Sequence, residues 1–228
     1  AASDVYKRQY IKRYRMKGKL KMRKGKIIPH PVIFTLILLD LIALILEYAV
    51  FGGTNPESLI KAGGLYAPSI QNGQIYRLLT TMFLHSGYTH FIVNAFCLFS
   101  VGAWIEKGVG HKWTLFIYLF GGLFSNIITY QTDIAWATMR TPVVTVGASG
   151  AISAFLGALV VFKSMRPEWV SFTTPGRLLA GVFMIVLPIF FAGNISIISY
   201  ISGQIGGMIA GTIIVLTTKL KFCESKKE

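Results

Sequence analysis

The sequence predicts an all-α, polytopic membrane protein: a bundle of six transmembrane helices. Three observations carry that prediction. Of 228 residues, 53% are hydrophobic and only 14% charged, where a soluble domain averages about 25% charged. The apolar residues gather into six segments, roughly 31–51, 80–104, 113–131, 147–164, 177–193 and 197–218, each near the ~20 residues a helix needs to cross a bilayer. None alternates as the strands of a membrane β-barrel do. A soluble enzyme, a disulfide scaffold and a disordered chain are excluded together. The 23 Gly and 16 Phe suit helices packed in lipid.

Residues 1–29 read as a basic cytoplasmic segment, residues 30–220 as the membrane domain and residues 221–228 as a short cytoplasmic tail. The chain opens on Ala1, and Met16 and Met22 are candidate starts. That would make residues 1–15 a non-native head, and nothing functional is read from them. The first apolar segment is too long for a signal peptide, carries Asp40 and Glu47, and lacks a small-residue cleavage site, so it reads as a retained span. The connection 52–79 holds five glycines and the apolar Leu59, Ile60, Leu65, Tyr66 and Ile70, which predicts a segment lying against the membrane.

Orientation follows from the basic residues. Eleven Lys and Arg lie between Lys7 and Lys26. With the N-terminus inside, Lys107, Lys112, Lys163, Arg166, Arg177 and the four lysines from Lys219 onwards are also cytoplasmic. Only Lys61, Arg77 and Arg140 face out. Positive residues accumulate on the cytoplasmic side, so both termini are expected there. The same placement turns the net charge of +14 from a nucleic-acid signature into a membrane one: the basic head abuts a span and faces anionic lipid. Cys97 lies inside a span and Cys223 in the tail, so no disulfide is expected. No cofactor is expected either.

Three stretches can carry chemistry. In Gly147-Ala148-Ser149-Gly150 a serine sits among small residues at the start of the fourth span. A helix N-terminus offers unpaired N–H groups and a positive dipole end, so a serine there could attack a carbonyl while the amides hold the oxyanion. The same residues also serve plain helix packing. The second stretch runs through His85 to His90 and Asn94. His90 and Asn94 are four apart on one helix face, and both can donate to an oxygen. Structural hydrogen bonding is the competing reading. A metal site is disfavoured, because His30 and His111 lie at the opposite span edges. The third stretch is a ridge of Gly203, Gly207 and Gly211, matched by Gly150, Ala154 and Ala158 in the fourth span. Two such ridges allow close approach and bring residue 204 towards residue 149.

His85, His90, Asn94, Glu106, the Gly-Ala-Ser-Gly run and the late glycine ridge resemble, in this order, the rhomboid family of intramembrane serine proteases. The resemblance implies that Ser149 is the nucleophile, that His90, Asn94 and the Ser149 amide form the oxyanion site, and that Glu106 is structural. It implies cleavage of transmembrane protein substrates near the outer face and, by default, residence in a bacterial inner membrane. One departure stands out: Gln204 occupies the position of the family's base histidine, and a carboxamide cannot accept the serine proton near neutral pH. Ser153 likewise replaces the aromatic ring that often stacks on that histidine. The expected function is therefore a rhomboid protease impaired by Gln204. The alternatives are an inactive relative that binds membrane helices and, further off, an unrelated transporter or scaffold.

Overall fold

A computed structural model describes residues 30–137, 142–166 and 197–224. The basic head and the span read at 177–193 lie outside the described residues. Among these, every regular element is helical apart from one isolated bridge, Leu65 with Thr145. In chain order they are α1 (Pro31–Ala49), α2 (Pro56–Ala62), α3 (Ala67–Gln71), α4 (Arg77–Thr80), α5 (Tyr88–Cys97), a π-turn (Leu98–Gly102), α6 (Ala103–Val109), α7 (His111–Ala135), α8 (Ser149–Met165) and α9 (Ile197–Glu224). α5, the π-turn and α6 run on as one span, Tyr88–Val109.

Four helices are long and apolar enough to cross a membrane: α1, the α5–α6 span, α7 and α9. α8 is a fifth apolar helix among the described residues, and the sixth expected span, 177–193, lies outside them. α8 differs in length. Its 17 residues rise only about 25 Å, short of a hydrocarbon core of about 30 Å. Ser149 is its first residue, approached through residues 142–148, which are not helical. Non-helical backbone at membrane depth must be buried in protein or face water.

The centre is a close trio of α7, α8 and α9. A side-chain carbon at Gly203 would fall on the Gly150 carbonyl, one at Gly207 on the Ala154 carbonyl, and one at Gly211 within 3.2 Å of the Ala158 Cα. The two ridges predicted from sequence meet in register. Gly157 meets the Gln204 carbonyl in the same way, and Gly121 of α7 abuts Ala154. Around this trio Leu98, Ile105, Ile117, Tyr118, Ile152, Phe155, Phe162 and Ile214 form the buried core.

α1 turns Ile33, Leu36, Asp40, Leu44 and Glu47 inward. Its first turn has Pro31 and no side-chain cap of its own. The cap comes from Glu106, whose two carboxylate oxygens accept the Val32 and Ile33 N–H groups at 3.0 and 3.1 Å. Nδ1 of His111 lies 2.6 Å from the same carboxylate. Connection 52–79 packs partly on the protein: α2 buries Leu59, α3 buries Ile70, and Leu65 between them is buried in the bridge to Thr145. Buried Arg77 fastens it, reaching the Ile60 and Gly64 carbonyls at 2.7 and 2.9 Å. Ile75, Tyr76 and Leu79 of the same connection remain exposed, so only part of its apolar surface is met within the protein.

Candidate active site

Residues 145–147 are pinned on both sides by backbone hydrogen bonds. Leu65 and Thr145 exchange backbone bonds of 3.0 and 2.9 Å. Thr81 accepts the Gly147 N–H at 2.9 Å and donates its hydroxyl to the Thr145 carbonyl at 2.6 Å. The chain then turns at Gly147, whose φ of 125° favours glycine, and enters α8. The first intrahelical bond of α8 runs from the Ile152 N–H to the Ala148 carbonyl at 2.9 Å. The amides of Ser149, Gly150 and Ala151 precede it, at the positive end of the helix.

Gly147 is needed for space as well. A Cβ there would lie 2.7 Å from His90 Cε1, 2.9 Å from His90 Nε2 and 3.4 Å from Asn94 Nδ2. The two α5 side chains therefore converge on the backbone two residues before Ser149. Asn94 is buried, and its Nδ2 has no hydrogen-bond partner among the described residues. The His90 tautomer follows from its other nitrogen. The Ser86 N–H donates to His90 Nδ1 at 3.3 Å, with the Ser86 hydroxyl 3.0 Å away. A backbone N–H can only donate, so Nδ1 accepts and the neutral ring carries its proton on Nε2. Two N–H donors thus converge beside Gly147.

α9 reaches the same place from the other side. The Ser125 hydroxyl of α7 donates to the Ser199 carbonyl at 2.7 Å and lies 2.9 Å from the Ser199 hydroxyl. Both hydroxyls border Gly150. This ties the first turn of α9 over the start of α8 and brings the Tyr200 phenol within hydrogen-bonding reach of Ser149. Gln204 and Ser149 each neighbour one member of the Gly203–Gly150 contact, and both are half-buried. The Ser153 hydroxyl is buried without a partner among the described residues. His85 is fully buried, its ring edge-on to His90 at 5.2 Å.

The structure therefore gathers Ser149, Gly147, Gly150, His90 and Asn94, with Gly203 packed on Gly150; Gln204 lays its backbone carbonyl against Gly157, Ser153 lies one turn along α8 from Ser149, and Gly207 and Gly211 belong to the packing ridge below. No group of three His, Cys, Asp or Glu positioned for a metal occurs among the described residues. Sequence reasoning missed Thr81, Ser86, Ser125, Ser199 and Tyr200. The four-residue spacing of Ser86 and His90 was visible. The bridge from Leu65 to Thr145 spans 80 positions and left no sequence signal.

A family profile for the rhomboid domain matches residues 72–217. The chain is 33% identical over 166 residues to Rhomboid protease GluP of Bacillus subtilis (strain 168), covering 72% of this chain and 31% of that protein. It is 29% identical over 150 residues to Putative rhomboid protease YdcA of the same organism, covering 66% and 72%. It is 28% identical over 169 residues to Rhomboid-like protease 5 of Toxoplasma gondii, covering 72% and 19%. The match therefore spans less than a third of the first and third of these proteins.

Proposed function

The chain belongs to the rhomboid family, and from that premise we propose that it is an intramembrane serine endopeptidase acting on transmembrane protein substrates, weakened as written by Gln204. The observation that carries this reading is the convergence of His90 and Asn94 on Gly147, two residues before Ser149. Ser149 attacks a peptide carbonyl of an unwound substrate helix. The carbonyl oxygen, gaining charge, is held by His90 Nε2–H, Asn94 Nδ2–H and the Ser149 amide. Preorganised donors of this kind each contribute about 10²–10³ in rate.

Deprotonation of Ser149 is the weak step. His90 cannot supply it in the tautomer that its Nδ1 contacts imply, because the nitrogen facing the site then bears a proton. Gln204 supplies no basic lone pair. Loss of the base in a serine hydrolase costs on the order of 10⁶ in kcat. Gln204 therefore also favours a second reading, a helix-binding relative that does not cut.

The distribution of basic residues supports cytoplasmic termini, and we place the protein in a bacterial inner membrane. The test is cleavage of a model transmembrane substrate by purified Gln204→His in detergent, with Ser149→Ala on the same background as the blank. Activity at least 100-fold above the blank is expected. A folded Gln204→His no faster than the blank would leave helix binding as the better account.

A further inference from the structure

α1 carries two fully buried acids, Asp40 at its middle and Glu47 near its outer end. An acid at such a place is costly, and its partner names its use. For Glu47 that partner is a backbone group. Glu47 Oε1 accepts the His85 N–H at 2.7 Å, across 38 residues of chain. The next residue of α1, Tyr48, stacks its ring on Tyr88, three residues beyond His85, at 4.8 Å with 9° between their planes. The end of α1 thus clamps the loop that leads into α5.

The clamp has a defined output. His85 Nδ1 lies 3.0 Å from the Phe83 carbonyl, and its ring is held edge-on between His90 and Phe91. The next residue, Ser86, makes both contacts to His90 Nδ1. Gly87, at φ 128°, then turns the chain into α5. Ser86 is exposed, so water competes for His90 Nδ1 unless the loop is fixed beforehand. Water can donate to or accept from Nδ1, whereas the Ser86 N–H can only donate. The loop geometry therefore decides which ring nitrogen carries the proton.

We propose that Glu47 is a positioning residue that, through its bond to the His85 N–H, holds Ser86 on His90 and so sets His90 as an Nε2–H donor towards Gly147. The meaning of that donor rests on the protease reading above; the assignment of the tautomer does not. Only an acceptor at the Oε1 position is required, so a carboxamide serves in place of the carboxyl.

The experiment is long-range 1H–15N correlation on selectively 15N-histidine-labelled full-length protein in detergent micelles, with His90 assigned by its loss in His90→Gln. The parent is expected to show an unprotonated Nδ1 and a protonated Nε2. Glu47→Gln keeps an oxygen acceptor and should preserve that pattern. Glu47→Leu should give a mixture of tautomers, and Ser86→Ala an intermediate result. Glu47→Asp, one methylene shorter, decides the matter if Glu47→Leu does not fold, and a mixture is again expected. A folded Glu47→Leu or Glu47→Asp with the parental pattern would overturn the proposal, as would a mixture in Glu47→Gln equal to that in Glu47→Leu. An inactive Gln204→His with the parental tautomer would count against the protease reading and leave this one standing.

Discussion

At the scale of single residues, Gly147 and Ser149 divide two tasks. Gly147 admits His90 and Asn94 to the backbone because it has neither a Cβ nor a conventional φ. Gly147→Ala meets both obstacles. A strained backbone residue costs about 1–3 kcal/mol, and the displaced imidazole no longer points at the site. We expect a lower thermal unfolding temperature in detergent together with a changed His90 signal; an unchanged signal would mean that the imidazole is not held against Gly147. Ser149 as written should react slowly with fluorophosphonate probes, and Ser149→Ala should label almost as weakly as the parent. Strong labelling that Ser149→Ala abolishes would show that another group, such as His90, Tyr200 or an ordered water chain, activates the hydroxyl. The key residue types were legible in the sequence, because small residues around a serine and polar residues on one helix face stand out in an apolar chain. The pinning groups were not: Thr81 and Thr145 look like any other threonines, and they matter only once Leu65 is folded alongside.

At the scale of elements, the ridge contacts grade themselves. At Gly203 and Gly207 an added methyl meets backbone carbonyls, which cannot move aside, whereas at Gly211 the nearest atom is 3.2 Å away. Overpacking of a tight contact typically costs about 1–3 kcal/mol. Gly203→Ala and Gly207→Ala should lie at the high end of that range and Gly211→Ala at the low end. Unfolding of the three variants in a denaturing detergent series checks the order, and equal losses would contradict the register. Glu106 offers a second comparison. Glu106→Leu strands the Val32 and Ile33 N–H groups, and each buried unsatisfied group costs about 1–3 kcal/mol. Glu106→Gln keeps one acceptor and should lose less. Both ridges were readable beforehand from their four-residue spacing. The capping of α1 by Glu106 was not, since it joins residues 73 and 74 positions apart. The start of the second span was also misplaced: the sequence pattern begins it at residue 80, yet the helix begins at Tyr88, and residues 81–87 fold as a turn that presents His85 and Ser86.

For the whole molecule, the placement of basic residues predicts that Arg140→Cys, on a background lacking Cys97 and Cys223, is labelled by an impermeant maleimide in intact cells. A cysteine in the 221–228 tail should be labelled only after lysis; the reverse pattern would invert the topology. The membrane helices among the described residues were legible because lipid leaves little choice of composition, but their relative standing was not. α1 has 28% of its span buried within the protein, against 44% for each of the other three long spans. Besides the inward row of Ile33, Leu36 and Leu44, it is hydrogen-bonded at its ends, by the Glu106 carboxylate at one and by its own Glu47 at the other. Mechanically, that makes α1 a tie-rod lying on the outside of a stiff frame. Tension applied to the N-terminal segment would load the Glu106 fastening first and pass along the rod to Glu47, so a pull on one side of the membrane would arrive, on the other, at the loop that aims His90.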